Sequence, residues 1–293
     1  MRMGIALQLV FTGLGIGSIY ALIALGFVLI YRATNVVNFA QGDFAMLGAF
    51  SMVVLCIGFQ LPYWLAILIT LAAMLVFGVL FNFAVYYPLR NRGFQPVIIS
   101  TIGASILLEN GVLAAYGPQP QTLPALLPFQ GLSIGPVFLD SQYLLILAVT
   151  VVMVTLQYLF FEHTLLGKKM QATSQDKEMA SLLGIPVARM TMLTFVYSSA
   201  LGGLAGILVA PILFVSVGMG SSIALKAFAA SIVGGFGNAT GAIVGGLALG
   251  VVETFGAAYI SVPYKDAFAF ILLILFLLFR PQGLFGEKVA EKA

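Results

Sequence analysis

Residues 4–31 read GIALQLVFTGLGIGSIYALIALGFVLIY, a run without a single Asp, Glu, Lys or Arg. An α-helix needs roughly 20 apolar residues to cross about 30 Å of hydrocarbon, and this stretch exceeds that. Its apolar residues are continuous and do not alternate with polar ones, so it is a helix and not a barrel strand. Arg2 ahead of an apolar stretch resembles the start of a secretory leader. The run is too long for a leader's core and more apolar runs follow at once, so a retained helix is expected.

The same pattern recurs at Val36–Phe59, Tyr63–Tyr87, Val97–Tyr116, Ser141–Phe161, Met190–Val217, a divided segment Ile223–Ile260, and Val262–Phe279. Composition agrees, with 61% hydrophobic and 8% charged residues among 293 and a mean hydropathy of +1.10. Soluble domains carry about 25% charged residues, and a water-facing surface cannot be covered with so few. The expected fold is an all-α polytopic membrane protein, residues 1–293 forming one transmembrane domain of about eight or nine helices. A net charge of +3 without a basic stripe gives no reason to expect nucleic acid. Cys56, the single cysteine, lies inside an apolar run, so no disulfide framework exists.

Basic residues fall in alternate connections. Arg32 follows the first run, Arg90 and Arg92 the third, and Lys168, Lys169, Lys177 and Arg189 the fifth. Gly58–Pro62, Gly117–Asp140 and Gly218–Ser222 hold no Lys or Arg. Positive connections stay in the cytoplasm. The N-terminus is therefore expected outside and the 163–189 connection inside, with Arg280, Lys288 and Lys292 also inside; Arg2 argues weakly the other way. On that basis Ile223–Ile260 begins and ends on the outer side, broken at Gly234-Gly235-Phe236-Gly237-Asn238. The limb before the break, about 12 residues or ~18 Å of helix, is too short to span. A half-helix, a glycine turn at membrane depth and a full helix are predicted.

Small residues recur every four positions in Gly13-Gly17-Ala21, Ser198-Gly202-Gly206-Ala210 and Gly237-Gly241-Gly245, with Gly246-Gly250 beside the last. Such faces let helix backbones approach closely, within one subunit or between two. Polar residues interrupt the apolar runs: Asn38, Gln41 and Asp43 early in the second, Glu109 and Asn110 late in the fourth, Lys226 in the half-helix and Glu253 in the long limb. Ionisable groups at membrane depth face a bundle interior or an aqueous path, although Asp43, Glu109 and Lys226 are also placed where an interfacial position would suit them. Glu253, well inside its helix, is the candidate for a buried partner such as Lys226. Asn38, Gln41, Asp43, Glu109, Lys226, Gly235, Gly237 and Glu253 are the candidates for a translocation path.

Catalytic patterns are weak. His163, the only histidine, stands at a helix end beside Glu162, and with one Cys it makes neither a His/Cys metal site nor a nucleophilic dyad. Gly235–Thr240 lacks the preceding strand of a phosphate loop, and Gly167-Lys168-Lys169 lacks the upstream glycine and the hydroxyl residue of a Walker A loop. There is no clear internal repeat of the kind that marks many secondary carriers. No nucleotide site is therefore expected in this chain.

The 163–189 connection holds one further element. Asp176 is placed as the N-cap of a short helix Asp176–Leu183 that Gly184 ends, with Pro186 soon after. Met179, Ala180, Leu182 and Leu183 give that helix an apolar face, suited to a groove in a partner or to the lipid surface.

Four stretches together resemble the permease subunit of the branched-chain amino acid ABC importers, the LivH type, over essentially the whole chain. They are Gly17-Ser-Ile-Tyr20-Ala-Leu-Ile-Ala-Leu-Gly26 with Asn38-Phe-Ala-Gln41-Gly42-Asp43 and Met46-Leu-Gly48-Ala49; Ala180-Ser-Leu-Leu-Gly184-Ile185; Lys226-Ala-Phe-Ala-Ala with Gly234-Gly-Phe-Gly237-Asn, Gly241-Ala-Ile-Val-Gly245-Gly246 and Glu253; and Arg280-Pro281-Gln-Gly283-Leu-Phe-Gly286. The resemblance implies a type II importer permease in a bacterial inner membrane, with a second homologous permease, two ATP-binding cassette subunits that hold ATP and Mg2+, and a periplasmic solute-binding protein. It implies no cofactor in this chain. It also implies that Gln171, Ala172, Asp176, Met179, Ala180, Leu183, Gly184 and Ile185 form the coupling element. Relatives of this type move leucine, isoleucine and valine, and also other amino acids, amides, urea and small carboxylates. An ATP-independent carrier or channel is the alternative.

Overall fold

The computed structural model describes residues 2–126, 131–134 and 137–286. Lys288 and Lys292 lie outside the described residues. The chain forms α1 (Arg2–Thr34), α2 (Gln41–Val53), α3 (Tyr63–Phe81), α4 (Phe94–Tyr116), α5 (Ser141–His163), α6 (Leu165–Gln175), α7 (Lys177–Leu182), α8 (Val187–Val209), α9 (Met219–Gly234), α10 (Ala239–Tyr259) and α11 (Lys265–Phe279). α2 and α3 each end in a π-helical turn, Val54–Gly58 and Asn82–Tyr86. Seven of these helices are long and apolar enough to cross a membrane, and α9 is a shorter apolar helix. The protein is a multi-pass, all-α membrane protein.

α1 is the axis of the bundle. Residues 17–30 are buried on all sides, as an all-apolar helix must be if other helices surround it. Glycines set its closest contact, with α10: a Cβ on Gly13 would lie 2.7 Å from Val251 Cα, and one on Gly246 would lie 2.6 Å from Ala21 N. Gly202 approaches Phe44 and Gly206 approaches Ala45 where α8 crosses α2, and Gly241 and Gly245 meet Gly234 and Ala230 where α9 crosses α10. All three small-residue stripes are therefore used inside one subunit, where close backbone approach yields packing energy that apolar burial cannot supply in lipid. α4 and α5 lie at the rim, with large apolar side chains such as Ile99, Leu107, Val151 and Leu156 facing outward.

Several boundaries differ from the sequence reading. The run beginning at Val36 is not helical until Gln41: Asn35 takes φ +59, which ends α1, and residues 35–40 are irregular. The Gln41 side chain packs against Gly26 and Ser198. Gly26 lies eight residues before the end of α1 at Thr34, about 12 Å along the helix. Residues 35–40 thus climb back beside α1, and Asn38 sits in this turn and not in a helix. α9 starts at Met219 and runs 16 residues, longer than the 12 counted from Ile223. The glycine break after it is not at mid-depth. Phe236 packs at a tilt against Tyr31, near the end of α1, with ring centroids 4.5 Å apart. The segment after α11 folds beneath the break, its Leu284 and Phe285 N–H groups donating to the Val233 and Gly234 carbonyls at 2.9 Å each. These bonds satisfy terminal carbonyls of α9 that have no partner within the helix.

The parity of the last spans follows. The end of α9, the start of α10 and the end of α11 all lie at the end of the bundle that carries Arg32 and Arg280. At the opposite end a two-stranded antiparallel ribbon, β1 (Gly131–Ile134) with β2 (Val137–Asp140), precedes α5. Leu132 pairs with Leu139 and Ser133 with Phe138. The sequence reading had no element there, because the strands are too short to stand out within a Pro-rich connection.

Candidate functional site

The 163–189 connection contains two helices, not one. Thr164 starts α6, its Oγ1 accepting the Gly167 N–H at 3.0 Å. Gly167, Met170 and Thr173 face the protein, and a side chain on Gly167 would strike the Phe160 carbonyl. The Thr-x-x-Gly cap was the available signal. Gln171 and Ala172 belong to this first helix. Asp176 then caps α7, Oδ1 accepting from Glu178 N at 2.9 Å and Met179 N at 3.0 Å.

Gly184, at φ +76, closes α7 with paired terminal bonds: its own N–H donates to Ser181 O, and the Ile185 N–H donates to Ala180 O. A residue in the left-handed region is required there, which glycine adopts without a Cβ penalty. Met179, Leu182 and Leu183 are 57%, 81% and 77% exposed, whereas Ala180 is 2% exposed. Ala180 therefore belongs to the anchoring face and not to the apolar tip, since it points back toward the bundle. Lys177 lines a crevice with Asn82, Arg90 and Val187, and burial lowers its pKa from the usual lysine value.

Two polar clusters lie within the bundle. In the first, Glu253 is fully buried on α10. Its Oε1 accepts from Lys226 Nζ of α9 at 2.7 Å, and its Oε2 accepts from the Tyr20 hydroxyl of α1 at 2.7 Å. Lys226 also contacts Asp266 at 2.6 Å, and Lys265 stands 3.5 Å from Glu253, both from α11. Four helices are tied by one network in which opposite charges alternate. The pairing of Glu253 with Lys226 was expected; Tyr20 and Asp266 were not, because nothing local marks them as its neighbours.

The second cluster forms where irregular residues 35–40 meet α2, α4 and α9. Gln41 is held by Ser198, whose hydroxyl donates to Gln41 Oε1 at 2.8 Å. Asn38 Oδ1 takes the Ala40 N–H at 3.2 Å, and Phe39 N–H donates to Thr101 Oγ1 at 3.3 Å. Asp43 is 1% exposed, faces Ser105 and Glu109 of α4, and lies beside Gly220 in the first turn of α9. Among the described residues, neither Asp43 carboxylate oxygen has a hydrogen-bond partner, nor does Asn38 Nδ2 or Glu109 Oε1. Buried polar atoms are normally paired, so this group holds unused hydrogen-bonding capacity. Gly235 and Gly237 belong to neither cluster and pack near Gly286 and Tyr31.

A bundle of apolar spans with an exposed apolar helix on its basic end and polar groups at depth fits a membrane transport permease. Residues 9–277 match the family described as branched-chain amino acid transport system / permease component, and the chain belongs to that family. It is 37% identical over 299 residues to the high-affinity branched-chain amino acid transport system permease protein BraD of Pseudomonas aeruginosa, covering 98% of this chain and 97% of that protein. It is 33% identical over 300 residues to LivH of Escherichia coli, with the same coverage. A probable branched-chain amino acid permease of Methanocaldococcus jannaschii is 28% identical over 92% of this chain and 89% of that protein. No solved structure matches the chain significantly. These relatives are named as transport permeases, and the chain is a transport component and not an enzyme.

Proposed function

We propose that this chain is the single-domain permease subunit of an ABC importer that carries a branched-chain or related amino acid into the cytoplasm by alternating access. The observation that carries the coupling is the exposed apolar tip of α7, Met179, Leu182 and Leu183, on a helix bounded by the Asp176 cap and the Gly184 closure. A water-facing apolar tip on a capped helix suits a groove in a partner. The partners are two ATP-binding subunits that hold ATP and Mg2+, a second homologous permease and a solute-binding protein, in a bacterial inner membrane with lipid against α4 and α5. The path runs past Asn38, Gln41, Asp43 and Glu109, and the unpaired polar atoms of Asn38, Asp43 and Glu109 suit a zwitterion. Lys226 and Glu253 brace the helices beside it, and Gly235 and Gly237 let α9, α10 and the segment after α11 meet closely at its basic end.

Replacing Leu182 and Leu183 by Asp tests this. ATPase subunits that co-purify with the wild type are expected to be lost, and ATP-driven uptake in proteoliposomes with them, while the permease stays folded because exposed substitutions change stability by only about 0.5 kcal/mol. Intact co-purification and uptake would sink the docking assignment. Uptake that needs an ion gradient and no ATPase would establish a secondary carrier instead.

A further inference from the structure

At the basic end of the bundle a cavity of about 230 Å³ lies inside this one subunit, between α1, α5, α6, α8 and α10. It is separate from both polar clusters. We propose that it is a cytoplasm-facing binding site for a small zwitterion with an apolar body. It would take the transported amino acid after release, and its occupancy would act on α6 and so on the α7 tip. The identity of the amino acid and the role of α7 rest on the function proposed above; the site and its ligand chemistry do not.

The lining calls for a carboxylate at one end of the ligand and a hydrogen-bond donor at the other, and Glu162 of the same wall, paired with Lys168, favours a cationic donor. Arg32 reaches the cavity from the end of α1 and makes no ion pair among the described residues. The first turn of α10, Ala239 and Thr240, forms another part of the wall. Asn238 Oδ1 takes only the Gly241 N–H there, at 3.0 Å, so the N-terminal end of a 21-residue helix faces the cavity with donors to spare. A guanidinium and a helix N-terminus both call for a carboxylate.

Gln157 of α5 supplies the opposite requirement. It lines the cavity at 6% exposure, and among the described residues its buried Oε1 has no donor. An unpaired buried amide is costly, and a ligand ammonium would satisfy it. Leu29, Val154 and Ile243 provide apolar wall for a hydrocarbon side chain. An anionic lipid would use Arg32 but would leave Gln157 without a donor.

Met170, Gln171 and Ser174 of α6 complete the wall, and α6 joins α7 directly through Asp176. A ligand seated here therefore touches the helix that positions the α7 tip. A ligand that binds one arrangement of α6 better than another shifts transport toward that arrangement.

The test uses the full chain in phosphatidylcholine nanodiscs with radiolabelled leucine, beside leucinol, which lacks the carboxylate, and 4-methylpentanoate, which lacks the ammonium. Leucine is expected to bind, and both analogues to bind on the order of tenfold more weakly. Gln157→Leu and Arg32→Gln are each expected to weaken leucine binding by a similar factor, with thermal midpoints checked so that misfolding is recognised. Arg32→Lys, which keeps the charge, should recover part of the loss.

No leucine binding overturns the proposal, as does binding that ignores both variants, or occupancy by co-purified anionic lipid that leucine cannot displace. In the reconstituted complex, leucine added on the ATPase side should slow ATP-driven uptake, and Gln157→Leu should blunt that inhibition. Uptake without any such inhibition overturns the regulatory role alone. Absence of ATP-driven uptake overturns the importer assignment, while leucine binding still reads the cavity.

Discussion

Both carboxylate oxygens of Glu253 accept hydrogen bonds from Lys226 and Tyr20, whereas neither oxygen of the equally buried Asp43 has a partner among the described residues. The two acids lie in the same apolar bundle, yet their surroundings are opposite. Around Glu253, groups from α1, α9, α10 and α11 close a network that alternates in sign. Beside Asp43 stand Ser105 and Glu109 of α4, and Glu109, like Asn38 in the preceding turn, is itself incompletely paired. A completed network holds helices in place. An incomplete one has capacity left for something that arrives and departs, which is what a transport path needs.

This contrast breaks most sharply at Glu253. Glu253→Ala leaves the Lys226 ammonium with only the exposed carboxylate of Asp266 and strips the Tyr20 hydroxyl of its acceptor, a loss near the lower end of the about 3–5 kcal/mol for breaking a buried pair. The thermal midpoint in nanodiscs should fall accordingly. Combining Glu253→Leu with Lys226→Met should recover part of it, because no buried ammonium is then left short of a partner. A Glu253→Ala protein as stable as the wild type would remove the distinction between the clusters.

A smaller loss is expected from Gly42→Val, which places a Cβ 2.5 Å from Ala224 Cβ and against the Gly220 carbonyl where α2 meets α9. Overpacking of this kind costs about 1–3 kcal/mol. It moves Asp43 without altering its charge, so uptake should fall together with stability in the same melting and transport assays.

Asp43→Asn should separate those readouts. It removes a poorly solvated carboxylate and is expected to leave the midpoint unchanged or raise stability by about 1 kcal/mol. Uptake should nevertheless drop by on the order of tenfold, the equivalent of about 1.4 kcal/mol in the barrier. Destabilisation with normal uptake would make Asp43 structural and Glu253 the better candidate for the path. The smallest effect belongs to the exposed Lys168–Glu162 pair, where Lys168→Ala should shift the midpoint by nothing measurable, since solvent already screens it.

Much of this was legible in the residues. The spans, the Asp176 cap, the Gly184 closure and the sidedness of Arg32, Arg90 and Lys168 all depend on neighbours within a few positions. Asn38 reads as helical from the sequence because an apolar run does not show that Asn35 turns the chain back before a helix restarts. Ala180 reads as part of the apolar tip because a six-residue helix does not announce which of its faces meets the protein. The Tyr20–Glu253 bond joins residues 233 apart, and no local pattern selects that pairing.

What the sequence by itself determined was that the chain crosses a membrane as helices, that its basic connections share one side, and that a capped helix with apolar residues stands on that side. Hydrocarbon thickness, helix rise and capping chemistry act over a few turns, so a linear reading captures them. The tertiary structure alone decided which buried charges are paired, that residues 35–40 re-enter beside α1, and that Arg32, Gln157 and the start of α10 meet at one cavity. Those outcomes depend on helices distant in sequence packing through their glycines, and close backbone approach is settled by three-dimensional fit.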